Sequence, residues 1–447
     1  MKGSFVMKYY CLGIKGAGMS TLANILYDLG NEVIGYDDVR DYKFTEEGLR
    51  KRGIKIYCDG NHELDDDVIV TYSVALSDDH KELQRVRSLG LKIVKYNDIL
   101  GEITSQFESI CVSGTHGKTT TSSLITYILN GVSEVNYFIG DGTGHASKDN
   151  KIFVIESDEF NRHFLTYHPS YTVITNIELE HTEIYRDIED IKNTFLTFAN
   201  KTSNVIVACG DNKYIREIHF DKKVLYYGFN EDNDIYAKNV VLDESGSSFD
   251  LYIDKKLFGH FNVPLYGSHM VLNAMAAIAI CNLEKVDFNT ICNRLKTFKN
   301  AKRRFAEETI GDTVIIDDYA HHPTEIKVTL DAVRQKYPDR KIVAVFKPNT
   351  YSRTEKFYKE FADSLNVADK VYLTEIDCNR EKASDYSNVT SKVILDLLND
   401  GEMISEDTVE KLLIHNGSVI CFMSCASIAH LKDNFEKLLN NSDYKKL

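Results

Sequence analysis

The 447-residue chain lacks several features that would mark a specialised class. No stretch approaches 18 consecutive apolar residues, so no membrane-spanning helix is expected. The opening MKGSFVMKYYCLGI has neither a long apolar core nor a small-residue cleavage site. No secretory leader is therefore expected, and Met7 is a second candidate start. No long Lys/Arg block occurs and the formal net charge is −14, whereas nucleic-acid binding usually needs a basic face. An acidic chain that handles anions must hold them locally, with glycine loops, helix ends and metal. The nine cysteines include no C-x-x-C pair, which fits a reducing cytoplasm better than a disulfide framework. Cys421 and Cys425 are expected to pack in the core. Only five prolines occur, and two of them, Pro323 and Pro348, follow strand-like runs directly. No low-complexity linker is present.

What remains is an ordinary globular composition, 43% hydrophobic and 27% charged, in a chain long enough for two to four domains. Three segments each open with a strand. In the first, YYCLGI, KGAGMSTLANILYDLG and EVIGYDD read as strand, glycine turn and helix, then strand, with Gly30 closing the helix. VIVTYSVAL (68–76) and LKIVKY (91–96) are expected strands. In the second, SICVSGTHGKTTTSSLITYIL is strand, loop and helix. KIFVIES, YTVITNI and NVIVAC are further strands. Residues 224–266 read as β-rich with a hairpin turn at 244–247, and residues 267–283 as a helix. A boundary is expected at KNAKRRF. In the third, TVIIDDYAHHPTEI, KIVAVFKPNTYSRT, DKVYLTEI and GSVICFMS supply four buried-looking strands with helices between. The fold class is α/β throughout.

The chemistry concentrates in a few stretches. Residues 114–120, GTHGKTT, lie between a strand and a helix. Glycines there would turn backbone N–H groups toward a phosphate, Lys118 would neutralise it, and Thr119 would face Mg²⁺. The spacing differs from the common phosphate loop, since only two residues separate Gly114 from Gly117. GIKGAGMS (13–20) could hold NAD, hold another diphosphate, or be a tight turn; Asp37 falls near the ribose-binding distance. Glu156 and His181 follow apolar strands, where a carboxylate and an imidazole could complete a metal site. DDYAHHPTEI crowds acids, a tyrosine and histidines at a strand end, a costly arrangement unless used. Arg353 is a candidate anion clamp, and His269 and Asn273 share a helix face.

Taken together, GIKGAGMS, GTHGKTTT, TNIELEH, KRRF, DDYAHHPTE and P-x-x-Y-S-R-T resemble the Mur ligases of peptidoglycan synthesis, in order along nearly the whole chain. The short phosphate loop is that family's own. The resemblance implies the three-domain Mur ligase architecture: a UDP-sugar-binding Rossmann-like domain (1–104), a central P-loop ATPase domain (105–303) and a Rossmann-like C-terminal domain (304–447). The motifs are most similar to the branch that joins L-alanine to the lactyl carboxylate of UDP-N-acetylmuramate, in its low-GC Gram-positive form, through YNDILGEI, IGDGTG and RHFLTYHPSY. The implied cofactors are ATP and Mg²⁺. By the resemblance, Gly114, Thr115, His116, Gly117, Lys118, Thr119 and Thr120 hold ATP, with Asn176 beside it. His269, Asn273, Arg304 and Asp318 contact it. Thr119, Glu156 and His181 hold magnesium. Gly16, Ala17, Gly18, Met19 and Ser20 cradle the UDP diphosphate, with His62 and Ser73 on the same side. Tyr319, His321 and Arg353 position alanine, and His321 is the general-base candidate. Lys118, His181, His321 and Arg353 form the expected catalytic set. A cytoplasmic monomer or homodimer, with no nucleic-acid or membrane partner, is expected.

Some positions depart from the family pattern. Asn349 and Thr350 stand where His and Arg are usual. Ser424, Cys425 and Ala426 replace Gly-Ala-Gly, which would strain any loop there that needs positive φ. Sister ligases carry a carbamylated lysine where this chain has Phe195 and Leu196; the neighbouring lysines are Lys192 and Lys201, and no carbamylated lysine is expected.

Overall fold

The computed structural model describes residues 6–440 apart from 74, 182, 183, 302, 379, 380 and 427. Val74, Lys302, Thr182 and Glu183, inside stretches read above, therefore lie outside the described residues. By packing, the chain divides into two compact units. One comprises Met1–Lys238, Asp250–Phe261 and Leu272–Phe298; the other comprises Asn239–Phe249, Asn262–Val271 and Lys299–Leu447.

The first sheet contains β1 (Lys8–Leu12), β2 (Glu32–Tyr36), β3 (Lys55–Tyr57), β4 (Ile69–Tyr72) and β5 (Lys92–Ile93), in the order β3-β2-β1-β4-β5. Every pairing is parallel. Such a sheet is covered on both faces, so β1 reads as a continuous apolar run, and Tyr10, Leu12 and Val70 enter a buried cluster with Leu83 and Val86. Two expected strands are shorter than read. LKIVKY pairs only at Lys92–Ile93, and Tyr96 begins a helix, Tyr96–Thr104. Ile99, Leu100 and Ile103 bury one face of that helix, so a helical period beginning there overrides the apolar run. VIVTYSVAL leaves the sheet after Tyr72.

The second sheet contains β6 (Glu108–Ser113), β7 (Asn136–Ile139), β8 (Thr143–His145), β9 (Ile152–Glu156), β10 (Tyr171–Ile174), β11 (Val205–Cys209), β12 (Val224–Gly228), β13 (Ile235–Asp243), β14 (Gly246–Ile253) and β15 (Lys256–Val263). Its order is β15-β14-β13-β12-β11-β10-β6-β9-β7-β8. The turn between β13 and β14 is tighter than expected, only Glu244 and Ser245 lying between the strands. β6 lies between β9 and β10, parallel to both. Pairing Val112 with Glu156 and Ser113 with Ile174 brings the residues after three strands to one rim. That rim is where ligands bind in open α/β sheets.

The third sheet contains β16 (Ala306–Ile310), β17 (Thr313–Asp318), β18 (Ile342–Phe346), β19 (Lys370–Leu373), β20 (Gly401–Met403) and β21 (Val419–Met423), in the order β16-β17-β21-β18-β19-β20. Only β16 runs antiparallel to its neighbour. Its strands bury both faces: Ile342, Ala344 and Phe346 enter one cluster, Val343 and Val345 the other. Cys421 is fully buried there, whereas Cys425, expected in the core, is only half-buried, because it follows the last strand.

Candidate active site

The phosphate loop follows β6 and feeds the helix Lys118–Leu129. Gly117 takes φ +82°, a left-handed conformation that costs other residues energy. A Cβ there would also lie 2.7 Å from Asn273 Oδ1, so the loop packs directly on the buried Asn273 of helix Ser268–Leu283. Asn176, just after β10, holds the loop from the other side. It accepts from the His116 N–H at 2.9 Å and donates to the His116 carbonyl at 3.0 Å. The Thr115 N–H reaches the Asn176 carbonyl at 3.0 Å, and Thr175 Oγ1 donates to the His116 carbonyl at 2.6 Å. Both ends of the Asn176 amide thus shape the loop. His116 Nε2 lies 3.3 Å from Glu178 Oε2.

Lys118 curls over this loop. Its ammonium donates to the carbonyls of Gly114 (2.6 Å) and Thr115 (3.1 Å) and to Glu159 Oε2 (2.8 Å). Burial alone would depress its pKa, but the charges of Glu159 and Asp158 outweigh it and hold the ammonium above its usual range. Glu159 is fully buried, and burial pushes its carboxyl upward against the pull of Lys118. Tyr185 anchors it, the hydroxyl donating to the Glu159 carbonyl at 2.5 Å. Sequence reasoning singled out Glu156 and passed over Glu159. The available signal was a further carboxylate, three residues beyond the strand end and next to Asp158.

Glu156 ends β9. Its Oε1 accepts from Thr119 Oγ1 at 3.1 Å and its Oε2 from the Gly140 N–H at 2.7 Å. His181 adopts φ +52° and sets Nε2 4.0 Å from Glu159 Oε1. One ligand atom each from Asp158, Glu159 and His181 fall within 4.8 Å of one another. Two carboxylates and an imidazole suit a hard divalent cation such as magnesium. Of the expected magnesium ligands this set contains His181, while Thr119 and Glu156 are joined to each other at 3.1 Å. Phe195 is buried against Phe164, and Lys192 is engaged by Glu189 and Glu217.

At the first sheet, Gly16 caps the helix Ala17–Asp28, which presents Ala17, Gly18, Met19 and Ser20 as its first turn. Ser20 Oγ is turned inward, donating to the Ala17 carbonyl at 2.9 Å. Asp37 braces the loop, accepting from the Lys15 N–H at 2.9 Å and the Val39 N–H at 3.1 Å. Ser73 lies against Gly13 and donates its N–H to the Leu12 carbonyl at 3.0 Å. His62 follows β3 in the chain. Its ring stacks on Tyr57 at 3.7 Å and meets Tyr10 edge-on, with Nδ1 3.1 Å from the Asp59 carbonyl, and burial lowers its pKa.

In the second unit, the buried Asp318 at the end of β17 is engaged by backbone: Oδ2 by Phe305 N–H (2.7 Å) and Oδ1 by Ala320 N–H (2.8 Å). Burial raises its carboxyl. The Arg304 guanidinium lies 4.9 Å from the centre of the Tyr319 ring, and Tyr319 meets His321 edge-on at 5.5 Å. His321 Nδ1 is 3.0 Å from both Glu325 Oε2 and the Tyr319 carbonyl. Arg304, Asp318, Tyr319 and His321 thus form one cluster. Arg353, on helix Tyr351–Leu365, places Nη1 3.5 Å from the Asn349 carbonyl. His269 has its pKa lowered to about 4 by burial. The strain expected from Ser424, Cys425 and Ala426 is absent, since none has positive φ. Ser424 Oγ instead donates to the Lys347 carbonyl (2.9 Å) and accepts from the Ala426 N–H (3.0 Å).

Residues 8–108 match the catalytic domain of the Mur ligase family, residues 112–281 the Mur ligase middle domain, and residues 303–423 the glutamate ligase domain of Mur ligases. The chain belongs to the Mur ligase family, with its three-domain α/β fold. It is 43% identical over 432 residues to the UDP-N-acetylmuramate–L-alanine ligase of Lacticaseibacillus paracasei, covering 96% of this chain and 98% of that one. Among solved structures, the UDP-N-acetylmuramate–alanine ligase of Thermotoga maritima superposes with a TM-score of 0.81 at 25% identity, covering 97% of this chain and 99% of that one. A murein peptide ligase from Psychrobacter arcticus shares the fold at a TM-score of 0.73 and 23% identity, covering 97% and 99%.

Proposed function

We propose that the chain is an ATP-dependent ligase that joins L-alanine to the lactyl carboxylate of UDP-N-acetylmuramate, releasing ADP and phosphate. One observation carries this reading: 43% identity to a curated ligase of that activity across 96% of the chain. The loop geometry supports it. A carboxylate is a poor acyl donor, so the γ-phosphoryl group of ATP passes first to the lactyl oxygen. The amine of alanine then attacks the acyl carbon, and phosphate leaves with the electrons of the broken C–O bond. Two anions must meet in the first step, and Lys118 supplies positive charge where they do. Thr119, Glu156 and His181 would hold Mg²⁺, which adds charge neutralisation when bound. Gly114, Thr115, His116, Gly117 and Thr120 line the ATP loop, while Asn176 and Asn273 brace it. By the family resemblance, His269, Arg304 and Asp318 would also contact ATP.

Alanine must lose a proton before it attacks. His321 Nδ1 is held between Glu325 and a carbonyl, which places the proton on Nδ1 and makes Nε2 the basic atom. Tyr319 and Arg353 position the alanine carboxylate. Gly16–Ser20 and Ser73 hold the UDP diphosphate. The reaction belongs in the cytoplasm, in a monomer or homodimer. Among the described residues no helix is long and apolar enough to cross a membrane. A side-by-side assay of L-alanine and a peptidoglycan tripeptide tests the amino-acid substrate. Turnover with L-alanine alone supports the reading, and turnover with the tripeptide alone overturns it.

A further inference from the structure

Three stretches that set this chain's branch apart in sequence, YNDILGEI, IGDGTG and RHFLTYHPSY, meet in the folded chain. Tyr96, from the first, lies 6.4 Å between ring centres from both His163, of the third, and Phe138, immediately before the second. Thr166 Oγ1 donates to the Asn97 carbonyl at 2.7 Å, tying the first stretch to the third. The Tyr96 hydroxyl also reaches the diphosphate loop: a Cβ on Gly18 would lie 2.8 Å from it. Glycine at 18 is what permits the approach. Tyr96 also feels the charges of Asp158 and Glu156, at the rim of the phosphate loop. Among the described residues, neither the Tyr96 hydroxyl nor the His163 ring has a hydrogen-bond partner. His163 is delivered by two consecutive residues with left-handed backbone, Asn161 (φ 53°) and Arg162 (φ 58°). Such strain in non-glycine residues concentrates where a side chain must be aimed.

We infer that Tyr96 and His163 hold the sugar–lactyl portion of the sugar nucleotide, as positioning residues that set the distance from the diphosphate loop to the phosphoryl acceptor. A phenol donor and a neutral imidazole suit the hydroxyl, ether and amide groups of an N-acylated sugar acid. Burial lowers the pKa of His163, which favours the uncharged ring over a tight ion pair with the carboxylate. The inference rests on the ligase reading above.

The test is calorimetric binding of UDP and of UDP-N-acetylmuramate to the full chain, wild type against Tyr96→Phe and His163→Gln. Each variant is expected to weaken UDP-N-acetylmuramate by about tenfold, the size of one lost hydrogen bond, and to leave UDP within about twofold. Thermal midpoints should not move for Tyr96→Phe, whose hydroxyl has no protein partner. Gly18→Ala should weaken the sugar nucleotide too, and Tyr96→Phe added to it should restore part of the loss by removing the clashing oxygen. Equal loss for UDP and the sugar nucleotide, or no loss for either, overturns the inference. Wild-type binding separates the two levels of the argument. If the wild type holds the sugar nucleotide no better than UDP, the substrate reading falls and takes this inference with it. If it does hold it better and the variants match it, only this inference falls.

Discussion

The buried pair between Lys118 and Glu159 makes a demanding prediction about stability. The Lys118 side chain is 14% exposed and that of Glu159 0%. Glu159→Gln removes the charge and keeps one acceptor. Breaking a buried ion pair from one side costs about 3–5 kcal/mol. Here the Gly114 and Thr115 carbonyls still accept from the ammonium, so a loss of about 2 kcal/mol is expected. Lys118→Met leaves the mirror defect, but burial already raises the Glu159 carboxyl, so protonation relieves it. The double variant removes both charges. Urea unfolding of the four proteins at neutral pH should therefore give a coupling energy of about 1–3 kcal/mol between the two sites. Coupling below about 0.5 kcal/mol would refute the claim that the two groups balance one another in the folded chain.

Three further outcomes follow from the geometry. Gly117→Ala adds about 1–2 kcal/mol of left-handed strain and drives a Cβ toward Asn273, so the KM for ATP should rise by about tenfold or more; an unchanged KM contradicts the packing described. Ser424→Gly, which restores the family's usual residue, should destabilise the chain by about 1 kcal/mol in denaturant unfolding, because two hydrogen bonds vanish and no positive φ is relieved. For His269, the unfolded chain takes up a proton near pH 6.5, while the folded site resists until about 4. The folded state therefore loses stability as pH falls through that window, and the thermal midpoint of His269→Gln should gain on the wild type between pH 7.5 and 5. A constant difference across that range would count against it.

Much of this was legible in the sequence where local patterns carry the information. β6, its glycine loop and the helix from Lys118 are one contiguous strand–loop–helix signal. The strands of the third sheet stand out because both faces are buried and the runs are unbroken. The rest depends on contacts that sequence spacing does not encode. Glu159 pairs with a lysine 41 positions away, and Asn176 grips a loop 60 positions away. Tyr96 sits in an apolar run that looked like a strand, and only packing on one helical face tells it apart. The family resemblance implies His62 on the nucleotide side, and its stacking on Tyr57 is a contact that spacing does not announce. The Ser424 loop invited an argument from glycine conformations that the backbone there does not require.

The most direct test of the account is ADP release by the purified chain with Mg²⁺, ATP and UDP-N-acetylmuramate, with and without L-alanine, beside Lys118→Ala. The account predicts turnover that needs all three substrates and is lost in the variant. Turnover that persists without UDP-N-acetylmuramate, or that survives in Lys118→Ala, would contradict it.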